Sequence, residues 1–203
     1  PIVNFVAPRG IDFSHSGYVV MDGMYYCFLF IRRNGYPGVV RAGWMTALIN
    51  AGEGVDVDIH LKRENRSKTI DKVAQRIRLN RTKIKNLQDT STDYEELSNS
   101  IQAGYYIKEG IANNEDLFYM STFITISAKG YEELMWRKQQ VTDMLKSMDI
   151  AVSDCRFQQE AAFRSVMPFL YIEPSLEKRA QRNVLTGGAA STYMFTSYEI
   201  SDD

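Results

Sequence analysis

The sequence has 203 residues, of which 44% are hydrophobic and 12% aromatic, and its formal net charge is −1. This length suits one domain, or one domain with a sizeable insertion, and the apolar content is enough to build a hydrophobic core. The near-zero charge excludes a chain that binds polyanions over its whole surface, so a nucleic-acid or membrane-surface role requires a local basic patch. The longest apolar run, 24–31, is far shorter than the ~20 residues that a membrane-spanning helix needs.

The first clear elements are two strands within residues 18–33, joined by a turn at Asp22-Gly23. The second strand is apolar on both faces, which is typical of a central strand in a sheet. Cys27 lies in this strand and Cys155 in a later strand-like run. A disulfide would require these two strands to be neighbours, and we interpret both residues as reduced, buried thiols.

A short helix over 42–51 is predicted next, ended by Gly52, and an alternating strand follows from Val55 to Leu61. The odd-numbered positions of this strand are apolar, whereas Asp56, Asp58 and His60 occupy the other face. Strict alternation is typical of a half-buried edge strand, so we expect these three polar residues to face outward.

Two long polar helices are predicted at about 66–88 and 93–112, with a turn at 89–91. The expected contact residues are Ile70, Val73, Ile77, Asn80, Ile84 and Leu87 on the first helix and Leu97, Ile101, Tyr105 and Lys108 on the second. Residues 66–85 carry eight Lys or Arg and one acid, whereas 93–116 carry six acids and one Lys. This sorting of charge favours an antiparallel hairpin whose helices attract each other, although each exposed pair contributes only ~0.2–1 kcal/mol.

The remaining pattern places a second strand that is apolar on both faces at 117–128 and an amphipathic helix at 131–148. Smaller elements follow: a mixed strand at 150–157, a short helix at 160–166, and a helix that starts at Pro174 and ends at Gly187-Gly188.

The order of these elements predicts an α+β fold with a ferredoxin-like βαββαβ core at 24–157 and a long antiparallel helical hairpin inserted at about 65–114. In that fold the first and third strands are central and the second and fourth are edges, which agrees with their composition. The organisation is predicted as a single domain, 1–203, with a lead-in at 1–20 and a helical tail at 158–203. Helices cover only one face of such a sheet, so we expect 1–20, 158–203 or a partner to cover the other.

Motifs that carry chemistry are sparse. Asp56, Asp58 and His60 contain metal-binding groups, but steps of about 6–7 Å along a strand are long for ligands of one ion, and a solvated face is the preferred interpretation. His15 lies between two serines without an orienting acid in sequence, and is interpreted as a loop histidine. The turn Gly52-Glu53-Gly54 is not a phosphate loop, and the sequence contains no G-x-x-x-x-G-K-[ST]. No catalytic, cofactor-binding or metal-binding residue is therefore assigned.

The basic helix 66–85 is the one electrostatic feature that points to a polyanion. Cations occur all round it without interleaved aromatics, which does not favour base stacking, and direct nucleic-acid contact is the less favoured interpretation. The aromatic strand 25–30 lacks the pattern of an RNA recognition motif, so core packing explains it better.

Several short stretches in fixed order resemble the amino-terminal region of the CagE/TrbE/VirB family of type IV secretion ATPases, in particular the branch found in conjugative elements of Gram-positive bacteria. They are Ala7-Pro8-Arg9-Gly10-Ile11-Asp12-Phe13, Tyr36-Pro37, Gly43-Trp44, Leu48-Ile49-Asn50, Asp56-Val57-Asp58-Ile59-His60, Phe123-Ile124-Thr125-Ile126, Glu132-Glu133-Leu134, Phe163-Arg164-Ser165 before Pro168, and Phe195-Thr196-Ser197. The resemblance spans nearly the whole chain and depends on the order of the stretches. Met194 departs from it, because the family usually has Pro there.

The resemblance implies that the chain belongs to a longer protein whose ATPase motor, with its ATP and Mg²⁺, follows the Phe-Thr-Ser stretch. This part would then be non-catalytic, and would link the motor to the other channel subunits at the inner membrane face during DNA transfer. The expected location is cytoplasmic and peripheral to the cell membrane, with self-association mainly through the motor. The alternative from the residues alone is a stand-alone ferredoxin-like nucleic-acid-binding module that uses the basic helix 66–85.

Overall fold

In a computed structural model of the protein, residues 8, 10–38, 40–86 and 92–192 are described. The chain divides into two compact units. The first, the sheet unit, comprises the described residues of Pro1–His60, Met120–Arg182 and Ser191–Asp203. The second, the hairpin unit, comprises those of Leu61–Tyr119 and Asn183–Ala190. The single-domain organisation stays a prediction.

The protein is a mixed α and β structure with an antiparallel sheet. The strands are β1 (Ile11–Asp12), β2 (Val19–Met21), β3 (Met24–Ile31), β4 (Val55–Arg63), β5 (Leu117–Ala128), β6 (Val152–Asp154) and β7 (Arg182–Leu185). The helices are α1 (Thr46–Ile49), α2 (Arg66–Ile84), α3 (Thr92–Ala112), α4 (Tyr131–Ser147), α5 (Gln159–Val166), α6 (Pro174–Ala180) and α7 (Thr186–Ala190). In the described part of the chain, none of these helices is long and apolar enough to cross a membrane.

The sheet order is β1-β2-β3-β5-β4, with β6 paired to β3 and β7 paired to β5. Both strands that are apolar on two faces, β3 and β5, are central neighbours, with partners running from Tyr25 opposite Ala128 to Phe30 opposite Phe123. The predicted turn between β2 and β3 is confirmed, because Asp22 and Gly23 both have positive φ, at 51° and 79°. The predicted edge position of β4 is confirmed as well.

Both faces of the central strands are covered within the sheet unit. On one face, Phe28, Phe30 and Phe123 form a buried cluster with Cys155 and with residues of α5 and α6, and Ile11 and Phe13 pack against it. On the other, α4 contacts β3 and has a buried stripe of Leu134, Val141 and Leu145. The sequence left open which segment covers the second face, and residues between 159 and 180 supply most of that cover. Of the three covers that the sequence allowed, the chain itself supplies this one, and these strands leave no open sheet face for a partner.

In the hairpin unit, α2 and α3 pack against each other as predicted. Asn65 caps α2, because its side-chain oxygen accepts a hydrogen bond from the Lys68 amide at 3.2 Å. The Arg66 guanidinium donates to Asn114 Oδ1 at 2.9 Å and to the carbonyl of Ile111, which closes the other end of the hairpin. The predicted turn at 89–91 and the contact residue Leu87 lie outside the described residues.

The contact residues of the hairpin differ from the prediction at three positions. Ile70 is 38% exposed and Thr69 is buried in its place. The Thr69 hydroxyl is satisfied there, because it donates to the Asn65 carbonyl at 2.9 Å. On α3, Tyr105 is 41% exposed and Lys108 is exposed. Gly104 takes their place, because a Cβ there would lie 2.8 Å from Cγ1 of Ile77. The helices approach closely at this glycine, which turns Tyr105 outward.

Several predicted bounds are also wrong. The strand expected over 150–157 is only β6, and the helix expected over 42–51 is only α1. The helix that starts at Pro174 ends at Ala180 rather than at Gly187-Gly188, and β7 interrupts the tail that was expected to be helical.

Candidate functional site

The three polar residues of β4 do not form a solvated row. Asp56 is exposed, Asp58 is half-buried, and the His60 ring meets the buried Phe123 ring edge-on, with 5.9 Å between their centroids. Burial raises the pKa of Asp58, Asp56 adds repulsion, and the neighbouring His60 opposes the rise. Among the described residues, no group of three or more His, Cys, Asp or Glu side chains is placed to hold a metal ion.

His15 packs on an aromatic ring instead of activating a serine. Its imidazole stacks on Tyr18 with 4.3 Å between centroids, and its Nε2 lies 3.6 Å from Oδ2 of Asp12. Ser14 hydrogen-bonds to Asp12, with its amide 2.8 Å from Oδ1. Hydrogen bonds from the Ser14 side chain and backbone lower the pKa of Asp12. The serine is thus engaged by the carboxylate, as in a tight turn.

Cys27 and Cys155 lie on neighbouring strand segments, since the Cys155 amide donates to the Phe28 carbonyl at 3.0 Å. Cys155 belongs to the same cluster as Phe28, whereas Cys27, one residue earlier, faces the opposite side of the sheet. Both thiols are free and buried, and burial raises the pKa of each to about 12. The interpretation as reduced core thiols is confirmed, and neither thiol is suited to nucleophilic chemistry at neutral pH.

The aromatic run of β3 serves the core. Phe28 and Phe30 are buried under α5 and α6, and the Arg179 guanidinium lies 4.8 Å from the Phe30 ring centroid.

The Gly52-Glu53-Gly54 turn likewise has a structural explanation. Gly52 and Gly54 have φ of 104° and 81°, which other residues rarely adopt, and a Cβ on Gly54 would lie 2.6 Å from the Ser127 carbonyl oxygen.

The hairpin unit carries the strongest charge feature. All eight cations of 66–85 are exposed. Among the described residues, no ion pair within 4.0 Å joins a cation of α2 to an acid of α3. The two helices pack together as predicted, but without close ion pairs between them, and Asp116 pairs with Arg63 at 2.8 Å. Long exposed side chains gain too little from such pairs to hold one geometry.

An open groove of about 610 Å³ lies along one side of this hairpin. Its lining is mixed in charge: Arg76, Asn80, Lys83, Asn86, Asp93, Glu96, Leu97 and Ser100. Asn80 and Ser100 join the helices at its floor, with Nδ2 2.9 Å from Oγ. Arg81 does not line the groove, and its guanidinium lies 5.4 Å from the centroid of the Tyr105 ring. Sequence reasoning missed this aromatic partner because it comes from the other helix.

An exposed apolar loop follows α5 in the sheet unit. We call residues 168–171 (Pro168, Phe169, Leu170 and Tyr171) the aromatic loop. Phe169 is 76% exposed and Leu170 is 93% exposed, and Leu170 has a positive φ of 55°. Phenylalanine and leucine side chains are ordinarily buried, so two of them exposed to solvent at consecutive positions are typical of a contact surface. The sequence signal was an apolar run that belonged to no predicted element.

The chain matches no protein-family model, and no curated protein matches it. Its relation to type IV secretion ATPases therefore stays a prediction from the quoted stretches.

Proposed function

We propose that this chain is a non-catalytic docking and assembly domain of a conjugative type IV secretion ATPase, linking the motor to the channel subunits at the inner membrane face during DNA transfer. The family resemblance supports this proposal along most of the chain. ATP and Mg²⁺ belong to the motor in this account, and self-association occurs mainly through the motor. In this proposal the protein lies in the cytoplasm, peripheral to the cell membrane.

The proposed fold is the ferredoxin-like core with an inserted hairpin. Its support is that β6, β3, β5 and β4 are neighbours in that order, which is the order that the βαββαβ pattern requires. Helices α2 and α3 lie between β4 and β5 in the chain, at the position expected for the insertion. Strands β1 and β2 and helices α5 and α6 are additions to this core.

The observation that carries the docking function is the aromatic loop. The sheet faces are covered, so they offer no apolar surface to a protein partner, whereas this loop exposes three consecutive apolar side chains, Phe169, Leu170 and Tyr171. Phe169 and Tyr171 are aromatic residues of the kind that is enriched at protein interfaces, and Leu170 adds exposed apolar surface between them. Ser165, which is buried, accepts a hydrogen bond from the Glu173 amide at 3.0 Å and so ties the two ends of the loop together.

Site-specific photo-crosslinking in conjugating cells tests this function. A photoreactive amino acid replaces Leu170 in the full-length protein, and a second version carries it at Phe157, which is 83% exposed but lies before α5. We expect Leu170 to yield a crosslink to a channel subunit, identified by mass spectrometry, and Phe157 to yield none. Equal crosslinking from both positions, or none from Leu170 in cells that transfer DNA, would contradict the proposal.

The alternative function, a nucleic-acid-binding module, is favoured by one specific observation. The described cations of α2 are exposed and are not neutralised by the acids of α3 within 4.0 Å. Such unpaired cations are available to phosphates, and binding would weaken steeply with salt.

A further inference from the structure

One side of the hairpin unit combines cations with an aromatic ring. Arg78, Arg81 and Lys85, the C-cap residue of α2, are separated by three and four residues, which places them on one side of the helix. None of the three is in an ion pair within 4.0 Å among the described residues. Together with Tyr105 they form what we call the Arg-Tyr face. The groove lies on the other side of the hairpin and is mixed in charge, with Asp93 and Glu96 beside Arg76 and Lys83.

The ring of Tyr105 is held in place and remains accessible. Gly104 brings α3 against Ile77, so Tyr105 projects beside the helix contact rather than into it. The Arg81 guanidinium lies over the ring, 5.4 Å from its centroid, and 41% of the tyrosine is exposed. A cation–π contact of this kind restricts the orientation of the ring while leaving part of it open to a ligand.

Phosphates and unpaired bases fit this combination of groups. Arginine and lysine bind the backbone of a single strand, and an accessible aromatic ring stacks on a base that is not paired. A duplex keeps its bases stacked inside, so it would use the cations but not Tyr105.

A membrane surface fits the hairpin less well. An interfacial helix needs one continuous apolar face. The apolar stripe of α2 is already packed on α3, and its exposed apolar residues, Ile70 and Leu79, are nine positions apart, on opposite sides of the helix.

We infer that the Arg-Tyr face binds single-stranded nucleic acid, with Arg78, Arg81 and Lys85 on the phosphates and Tyr105 stacked on a base. This inference rests on the alternative function above and specifies its ligand. It is independent of the aromatic loop, which lies in the other unit.

The test is a fluorescence titration of the 203-residue chain with a labelled oligothymidine, with the matching duplex, and with anionic phosphatidylserine vesicles, each at two salt concentrations. We expect the single strand to bind most tightly. Tyr105→Leu should weaken single-strand binding about tenfold and leave duplex binding unchanged. Arg81→Gln should lower the slope of log K against log salt by about 0.7.

Three controls keep the outcomes separate. Tyr106→Leu removes a tyrosine that is 66% exposed at the next position, and should bind like the wild type. Tyr105→Phe keeps the ring and should also bind like the wild type, and circular dichroism checks that each variant keeps its helices. Equal losses of single-strand binding in Tyr105→Leu and Tyr106→Leu would overturn the inference, because Tyr105 would then have no special role. Tighter binding to vesicles than to the single strand would overturn it as well, because lipid would be the better ligand. Absence of binding to both nucleic acids at low salt would overturn the alternative function itself.

Discussion

The two units of the chain are stabilised in different ways. The sheet unit buries large apolar side chains on both faces of β3 and β5, including Phe30 and Phe123 at 1% and 0% exposure. In the hairpin unit, the buried residues of α2 are Thr69, Ile77 and Asn80, two of which are polar. The first unit therefore obtains its stability from hydrophobic burial, and the helices of the second meet in a narrow contact that includes the polar pair Asn80–Ser100.

This difference indicates where binding surfaces are located. Because both faces of the sheet are covered, partners of the sheet unit can contact only its loops and outer helices. The narrow hairpin instead leaves two long sides of its helices exposed. Proposed contacts with protein and with nucleic acid accordingly fall on different units, at the aromatic loop and at the Arg-Tyr face. Substitutions in the two units should therefore differ in their effect on stability.

The largest effect is expected in the sheet core. Phe123→Ala removes a fully buried ring between two sheet neighbours and a covering cluster, so the free energy of unfolding should fall by about 3–5 kcal/mol. Urea unfolding followed by circular dichroism measures this change. Leu79→Ala, at an exposed position on α2, is the control and should change stability by no more than about 0.5 kcal/mol. Similar losses for the two variants would show that the sheet core is not the main source of stability.

A smaller effect is expected at the polar pair of the hairpin. Asn80→Ala removes the hydrogen bond to Ser100, and the free energy of unfolding should fall by about 0.5–1.5 kcal/mol. In a double-mutant cycle with Ser100→Ala, we expect the second substitution to cost little once the first is present. Fully additive losses would mean that the two side chains do not interact in solution. Asn99→Ala, next to Ser100 and exposed, provides the matched control.

The smallest effect is expected on β4, and it depends on pH. Burial raises the pKa of Asp58 in the folded state, so the folded protein binds this proton more tightly than the unfolded chain does. The ionised carboxylate therefore destabilises the fold at neutral pH, and stability contributed by this group rises as the pH falls through its folded pKa. Asp58→Asn should raise the melting temperature at pH 7, and this gain should disappear below the ordinary Asp pKa of 3.8. A lower melting temperature at pH 7 would contradict the assignment, and Asp56→Asn, at an exposed position, should have the weaker effect.

Sequence patterns predicted the central strands because a strand that is apolar on both faces needs cover on both faces, and a central position in the sheet provides it. They did not predict the cover of the second face, since α5 and α6 are far from β3 in the chain and their contact depends on tertiary packing. Tyr105 was misplaced because steps of four residues overshoot a helical turn of 3.6 residues, and Gly104 permitted a closer contact than the pattern implied. Charge sorting suggested ion pairs between the helices, but water solvates such side chains well enough to leave them apart.

The central claim is that the chain docks through the aromatic loop, and the conjugation frequency of cells that carry Leu170→Ser in the full-length protein tests it most directly. Burying a leucine side chain at an interface contributes about 1.5–3 kcal/mol, so transfer should fall at least about tenfold while Phe157→Ser, at a comparably exposed position, leaves it unchanged. The Leu170 side chain packs little in the chain itself, so the variant should fold and accumulate normally. Transfer at the wild-type frequency by a stable Leu170→Ser protein would contradict the claim.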